Sequence, residues 1–202
     1  MAGLSNHSLS VEGLGVLRGE RLVFRDLSFG LEPGGAVLLT GPNGAGKTTL
    51  LMVLAGLLPH QAGTIRFGGG ALPEHVALST HLDAVKPVMT VAENLAFWAA
   101  YAGTPAAVAP ALETLNLTAL ADLPAGLLSQ GQKRRAALAR LLVCPRPVWL
   151  LDEPSVSLDA ASVGILTGLI ADHRAAGGSV LVSSHIPLGL GDAAPLDLGA
   201  RA

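Results

Sequence analysis

Residues 41–48 read GPNGAGKT and follow the pattern G-x-x-x-x-G-K-[ST], which is typical of a phosphate-binding loop. Glycines let the backbone N–H groups of such a loop turn toward phosphate oxygens, Lys47 reaches the β and γ phosphates, and the Thr48 hydroxyl can contact Mg²⁺. The helix that follows adds its positive N-terminal end. An accidental turn is the alternative, because the chain has 25 glycines. The pattern predicts that ATP is bound by Gly41, Pro42, Asn43, Gly44, Ala45, Gly46, Lys47, Thr48 and Thr49.

Two adjacent carboxylates, Asp152 and Glu153, follow the apolar residues 148–151. Ligands of open α/β sheets bind at the carboxyl ends of such buried strands. We expect Asp152 to hold Mg²⁺ together with Thr48, and Glu153 to polarise the water that attacks the γ phosphorus. An acidic helix N-terminus before Pro154 is the alternative, and the upstream loop favours the catalytic interpretation.

His185 follows another apolar run, residues 179–183, and is far enough from Asp152 for one crossover helix between the two strands. It is a candidate to hydrogen-bond the γ phosphate or to fix Glu153. A solvated loop histidine is the alternative. The candidate catalytic residues are therefore Lys47, Glu153 and His185, and the other five histidines have no comparable context.

Ser129 precedes a basic helix and suits its N-cap, with Gln132 as the capping partner three residues later. The same helix N-terminus can bind phosphate, so a plain cap and a nucleotide contact are alternatives. The whole run Leu-Ser-x-Gly-Gln-x-x-Arg favours nucleotide contact by Ser129, Gly131 and Gln132. A solvated basic face is expected for most of the helix's cations, which are Lys133, Arg134, Arg135 and Arg140.

The surrounding pattern predicts an α/β fold with a parallel sheet. Short apolar runs at 36–40, 148–151 and 179–183 are typical of buried parallel strands, and helices are expected at about 47–56 and 160–176. Further strands are expected on both sides of a turn at Gly19-Glu20 within 14–31, and at 62–70. Helical periodicity at 90–103, with a capping box of Thr90 and Glu93, and at 105–115 indicates a helical insertion at about 83–128.

Composition limits the class of protein. A chain of 202 residues, half of them apolar, suits one domain or one domain with a small inserted lobe. A net charge of −2 gives no global field for nucleic acid or anionic membranes. The single cysteine, Cys144, excludes an internal disulfide and fits a reducing compartment. We find neither a signal-peptide pattern nor an apolar run of about 18 residues, and we expect no membrane span.

In combination, the motifs resemble the ATP-binding-cassette (ABC) ATPase family. Residues 41–48 match its Walker A motif, 128–132 its signature, 148–154 its Walker B, 157–159 its D-loop and His185 its switch, all in family order. The resemblance implies a P-loop NTPase with a RecA-like core, an antiparallel β lobe and a helical lobe, with the core at 1–82 and 146–202 and the lobe at 83–145. It also implies a head-to-tail homodimer, in which each ATP lies between the Walker A of one chain and Ser129 and Gly131 of the other.

Within that family, several segments resemble the ATPase subunit of haem-export systems for c-type cytochrome maturation. The resemblance implies an ATPase coupled to integral-membrane permease subunits, peripheral on the cytoplasmic face of the inner membrane and without nucleic acid. The segments are 21–24, 27–29, 85–87, 90–95, 97–98 and 184–188.

Three positions depart from the family pattern. His81 or Leu82 stands where a glutamine is usual, Arg18 stands where an aromatic side chain would stack on adenine, and Gln130 replaces a glycine. The guanidinium of Arg18 is expected to take the stacking role. The alternatives are an ABC transporter for another solute, a cassette ATPase acting on nucleic acid or ribosomes, and a module that senses ATP without turnover.

Overall fold

The computed structural model describes residues 7–80, 84–186 and 188–199. Within them the chain divides into two compact units. The core unit contains residues 7–80, 147–154 and 170–199, and the helical unit contains residues 84–146 and 155–169. His81 and Leu82, one of which stands where the family usually has a glutamine, lie outside the described residues. The domain limits given above from the sequence stay a prediction.

A five-stranded parallel sheet organises the core unit. It has the strand order β5-β6-β7-β3-β8. These strands are β3 (Ala36–Thr40), β5 (Val76–Ser79), β6 (Val148–Asp152), β7 (Ser179–Ser183) and β8 (Ala194–Asp197). All residues of β6 and β7 are buried, as expected for parallel strands covered on both faces. Because every neighbouring pair is parallel, the carboxyl ends of β3, β6 and β7 meet at one edge.

An antiparallel sheet forms the other layer of the core unit, in the order β2-β1-β4. Its strands are β1 (Leu9–Arg18), β2 (Arg21–Leu31) and β4 (Ala62–Phe67). The hairpin turn lies at Gly19-Glu20, as predicted, but β1 begins at Leu9, earlier than residue 14. Leu9 and Val11 are buried and pair with both β2 and β4, so cross-strand pairing extends the strand.

Helix α1 (Lys47–Leu54) follows β3 and the glycine-rich loop. It ends before Gly56, whose φ of 72° lies in the left-handed region, so the helix is shorter than predicted. Helix α5 (Ala160–Ala175) precedes β7 and contributes residues to both units.

The helical unit is built on α2 (Val91–Ala102), α3 (Val108–Thr114) and α4 (Gln130–Val143). Thr90 and Glu93 form the predicted capping box of α2, and Gly103 ends it in a left-handed conformation. The predicted helix at 105–115 divides into a 3₁₀ turn, Pro105–Ala107, and α3. Across the described residues, no helix is both long and apolar enough to cross a membrane.

The basic side chains of α4 differ from the solvated face that the sequence suggested. Arg134 is buried, with 3% of its surface exposed. Arg135 donates to the carbonyls of Leu115 and Asn116 at 3.0 and 3.1 Å. The guanidinium of Arg140 lies 5.0 Å from the Trp98 ring centroid, and burial lowers its pKa. The expectation is wrong for these residues because their stems and charges pack within the helical unit.

Candidate functional site

The glycine-rich loop has a backbone that side chains would obstruct. Gly41, Gly44 and Gly46 have φ values of 128°, 84° and 101°. A Cβ atom on Gly46 would lie 2.5 Å from Cγ1 of Val23 and 3.0 Å from Cδ1 of Phe24, both on β2. The left-handed backbone and the close approach of β2 therefore both require glycine at position 46.

Lys47 lies inside the curve of this loop. Its ammonium group donates to the carbonyls of Gly41 and Pro42 at 2.8 and 3.2 Å, and the residue is 9% exposed. Lys47 also begins α1, whose N-terminus has no side-chain cap among the described residues. A buried cation and an uncapped helix N-terminus thus meet at one loop, which is suited to hold an anion.

Asp152, at the end of β6, is held by two hydroxyl groups. The Thr48 hydroxyl donates to its Oδ2 at 2.6 Å, and the Ser183 hydroxyl donates to its Oδ1 at 2.7 Å. The residue is 5% exposed. Both of its oxygens are therefore oriented by donors from neighbouring elements.

Ser183 was missed as a functional residue by the sequence reasoning. It ends β7 and pairs directly with Asp152 in the sheet register. A polar residue at the carboxyl end of a predicted buried strand was the signal that could have found it.

Glu153 has a backbone conformation that is unusual for a side-chain-bearing residue. Its φ is 46°, and its N–H donates to the carbonyl and the hydroxyl of Ser183 at 3.0 and 3.2 Å. A left-handed backbone of this kind costs about 1–3 kcal/mol and tends to occur at functional sites. The two adjacent carboxylates have different partners, since Asp152 accepts from Thr48 and Ser183 whereas Glu153 lies beside His185.

His185 lies beside Glu153. Its Nε2 is 3.2 Å from Oε1 of Glu153, and the two side chains are 69% and 23% exposed. The His185 imidazole is therefore accessible from solvent on the side away from Glu153. The imidazole is thus within hydrogen-bond distance of the Glu153 carboxylate.

The oxygen ligands at the loop fit Mg²⁺. Thr48 and Asp152 offer a hydroxyl and a carboxylate, the hard ligands that this ion prefers. In the described part of the chain, no group of three or more His, Cys, Asp or Glu residues could hold a metal. An ion here would depend on few protein ligands and on substrate phosphates, as Mg²⁺ does at nucleotide sites.

Arg18 lies at the exposed end of β1, paired with Arg21. On the same strand, Val16 pairs with Phe24, the side chain that backs Gly46. Arg18 is two residues farther along, about 7 Å at the rise of a β-strand. Arg18 thus belongs to the β1–β2 hairpin, whose strand β2 packs against the phosphate loop at Gly46.

Ser129, Gly131 and Gln132 belong to the helical unit. Ser129 caps α4 through a full capping box: its hydroxyl accepts from the Gln132 N–H at 3.3 Å, and Gln132 Oε1 accepts from the Ser129 N–H at 2.8 Å. A Cβ atom on Gly131 would lie 2.9 Å from the carbonyl oxygen of Ser157. Glycine at position 131 thus lets α4 approach the segment before α5.

Asp159 lies at the start of α5 in the same unit. Its Oδ1 accepts from the Ser162 N–H at 2.8 Å. Hydrogen bonding from Ser162 lowers the pKa of the Asp159 carboxyl, with a smaller contribution from the charge of Arg135. The carboxylate therefore acts as an N-terminal cap for α5.

The chain is similar in sequence to proteins of one family. A family profile described as "ABC transporter" matches residues 24–156. The "Cytochrome c biogenesis ATP-binding export protein CcmA" of Cereibacter sphaeroides is 54% identical over 190 residues, covering 94% of this chain and 88% of the relative. The protein with the same description from Rhodospirillum rubrum is 52% identical, covering 93% and 84%.

Two solved structures share the fold. The structure of an ATP binding subunit of an ABC transporter superposes with a TM-score of 0.85 at 23% identity, covering 95% of this chain and 86% of that one. A Pyrococcus furiosus protein assigned to the ABC transporter ATP-binding proteins gives 0.84 at 27% identity, covering 96% and 99%. The predicted fold class, a P-loop ABC ATPase with a β lobe and a helical lobe, is confirmed. With a family profile across most of its length and relatives at half identity, the chain belongs to the ABC transporter family of ATP-binding proteins.

Proposed function

We propose that the chain hydrolyses ATP to drive a membrane-embedded partner in the maturation of c-type cytochromes. The observation that carries the proposal is the convergence of Lys47, Thr48, Asp152 and Glu153 at one edge of the parallel sheet. Ligands of such sheets bind at this edge. The loop supplies phosphate binding, and Glu153 with His185 supplies the means of cleavage.

The hydrolytic step follows from the positions of these side chains. Lys47 and the N-terminal N–H groups of α1 bind the β and γ phosphates in place of the loop carbonyls that Lys47 now contacts. Glu153 accepts a proton from a water molecule, whose oxygen attacks the γ phosphorus in line as the bond from that phosphorus to the bridging β–γ oxygen breaks, so that the bridging oxygen leaves with ADP and the proton passes on to the released phosphate. The products are ADP and inorganic phosphate. Mg²⁺, held by Thr48 and Asp152, would neutralise charge on the phosphate oxygens.

His185 acts on Glu153 rather than directly as the base. At 3.2 Å from Oε1, its imidazole orients the carboxylate, and its exposure lets it also reach the γ phosphate. The pairing of His185 with Glu153 therefore favours ATP hydrolysis over the alternative function, in which ATP is bound and sensed but not hydrolysed.

A second copy of the chain completes the site. The exposed N-terminus of α4, with Ser129, Gly131 and Gln132, is suited to meet phosphate oxygens of ATP bound to the partner's loop. ATP then bridges two chains, and hydrolysis weakens the bridge. ATP binding therefore closes the homodimer, and ATP hydrolysis allows it to open. Arg18 contributes a planar cation for stacking on adenine.

The relatives' descriptions support a role in cytochrome c biogenesis and export. We infer that integral-membrane permease subunits take up the motion, that the chain lies peripherally on the cytoplasmic face of the inner membrane, and that haem is delivered. Export of another solute is the competing function.

The first experiment tests ATP hydrolysis and dimerisation. Replacing the base in Glu153→Gln is expected to stop phosphate release while ATP still binds, and to hold a dimer on size-exclusion chromatography with ATP and Mg²⁺. Glu113→Gln, at an exposed position on α3, is the matched control and should behave as wild type. A wild-type protein without phosphate release, or a Glu153→Gln protein that stays monomeric with ATP, would contradict the proposal.

The second experiment tests the haem assignment. In cells that depend on this chain, Lys47→Ala is expected to abolish covalent haem attachment to c-type cytochromes, because the loop lysine no longer binds phosphate. Loss of another transported solute with normal cytochromes would favour the competing function.

A further inference from the structure

Asn94, on the first turn of α2, is a buried side chain whose amide oxygen and NH₂ group both hydrogen-bond within the helical unit. It is 7% exposed. Its Oδ1 accepts from the Lys86 N–H at 2.8 Å. Its NH₂ group donates to the carbonyls of Lys86, Met89 and Thr90 at 3.1, 3.3 and 2.9 Å. One side chain therefore fixes the whole backbone turn before α2.

That turn is hydrogen-bonded in its own right to a distant segment. The Ala125 N–H donates to the Met89 carbonyl at 2.8 Å, and the Gly126 N–H donates to the Pro87 carbonyl at 2.9 Å. We call residues 86–92 with residues 121–126 the strap. Their pairing is continued by an antiparallel bridge between Thr90 and Pro124.

The strap also satisfies the N-terminus of α2. The first helical N–H groups, of Val91 and Ala92, donate to the carbonyls of Leu123 and Ala121 at 3.1 and 2.9 Å. These groups have no partner inside a helix, and their pairing here ties α2 to the second half of the strap. A shift of residues 86–90 would therefore displace residues 121–126.

The second half of the strap leads into Ser129. It ends in the 3₁₀ turn Ala125–Leu127, and Leu128 follows with 5% of its surface exposed. Ser129 then caps α4. Only Leu127 and the buried Leu128 stand between the strap and Ser129, so the position of Ser129 depends on the strap.

We propose that Asn94 is a positioning residue for Ser129: by fixing residues 86–90 it holds the strap, and through it the N-terminus of α4, in the place where a partner's ATP is contacted. The inference rests on the proposed function of Ser129. Asparagine is required because it both donates to carbonyls and accepts from an N–H. Aspartate, of the same size, would direct a carboxylate oxygen at three carbonyl oxygens.

The test compares Asn94→Asp with a control for destabilisation alone. Leu95, the next residue of α2, is 2% exposed and takes no part in the strap's hydrogen bonds. Leu95→Ala or Leu95→Val, whichever matches the fall in Tm of Asn94→Asp, is the control. All variants are made in the full chain. ATP binding to the monomer, phosphate release and ATP-dependent dimerisation in the Glu153→Gln background are measured.

Asn94→Asp is expected to leave monomer ATP binding within about twofold of wild type, and to lower kcat and the dimerisation constant about tenfold, the effect of one or two lost buried hydrogen bonds. Hydrogen exchange should accelerate in peptides covering 121–129 as well as in 84–95. The Leu95 control should leave exchange in 121–129 and kcat close to wild type.

A double variant separates positioning from stability. If Asn94 acts through Ser129, Asn94→Asp with Ser129→Ala should lower kcat no further than Ser129→Ala alone. Additive effects, or a Leu95 control with the same loss of kcat, would overturn the inference. A wild-type protein without ATP turnover would instead reject the proposed function, so the two failures are distinguishable.

Discussion

The Thr48 hydroxyl and Oδ2 of Asp152 lie 2.6 Å apart, although 104 positions of sequence separate the two residues. This bond joins the first turn of α1 to the end of β6. With Ser183 holding the other oxygen at 2.7 Å, the carboxylate of Asp152 faces the phosphate loop. The Thr48 hydroxyl and the Asp152 carboxylate, the two groups that would bind Mg²⁺, are therefore already adjacent.

Thr48→Val is expected to reduce ATP hydrolysis roughly 100-fold or more, because it removes a ligand that supports charge neutralisation at the phosphates. Valine matches threonine in shape, so the loss reflects the hydroxyl. Steady-state phosphate release at varied Mg²⁺ measures the effect. Thr48→Ser keeps the hydroxyl and should retain most activity. Equal losses in the two variants would argue against a role for the hydroxyl.

Gly131→Ala is expected to weaken ATP-dependent dimerisation. A Cβ at this position would lie 2.9 Å from the Ser157 carbonyl, so α4 or its neighbour must shift. Analytical ultracentrifugation with ATP measures the dimer. Gly164→Ala, in an open position on α5, is the matched control and should stabilise the fold by up to about 1 kcal/mol through helix propensity. A Gly131→Ala protein that dimerises like wild type would show that the close approach is not needed.

His173 predicts a pH dependence of stability. Its ring stacks on Trp149 with centroids 4.0 Å apart, and burial lowers its pKa. The unfolded chain, with a histidine pKa of about 6.5, therefore binds the proton more readily than the folded state. Stability should be full above about pH 6.5 and should fall as the pH drops below it.

Urea unfolding between pH 5 and 8 measures this slope. His173→Phe keeps an aromatic ring on Trp149 and should flatten the acid side of the profile. His60→Gln, at an exposed position, should keep the wild-type slope. A His173→Phe protein with an unchanged slope would assign the pH dependence to other groups.

Arg174 anchors two distant segments of the core unit. Its guanidinium contacts both carboxylate oxygens of Asp192 at 3.0 and 2.6 Å, and its Nε donates to the Gly34 carbonyl at 2.9 Å. Arg174→Met is expected to lower the free energy of unfolding by about 1–2 kcal/mol, since it removes both contacts. Asp192→Asn should cost less, because the bond to Gly34 remains. Chemical denaturation ranks the variants, and the reverse order would contradict this assignment.

Local signals predicted the elements whose causes are local. α4 begins at Gln130, directly after the predicted N-cap Ser129, because Ser129 and Gln132 form its capping box within four residues. The hairpin turn at Gly19-Glu20 and the cap of α2 have equally short-range causes.

The sequence patterns did not predict two strands whose conformation depends on pairing with neighbouring strands. β5 and β8 have four residues each and gain their strand conformation from β6 and β3. Pro195 within β8 argues against a strand locally, but β8 is an edge strand, where a missing N–H is tolerated. Arg134 was misjudged for the same reason: its burial depends on what packs around α4.

The sequence by itself determined the phosphate loop, the carboxylate pair and the family, because each is encoded in short runs of residue types with fixed spacing. Only the tertiary structure decided which groups surround them. Strand register places the Ser183 hydroxyl on Asp152, the chain brings His185 to 3.2 Å from Glu153, and hydrogen bonds of the strap connect the turn fixed by Asn94 to the residues before Ser129. These relationships join residues far apart in the chain, and pairing and packing create them when the chain folds.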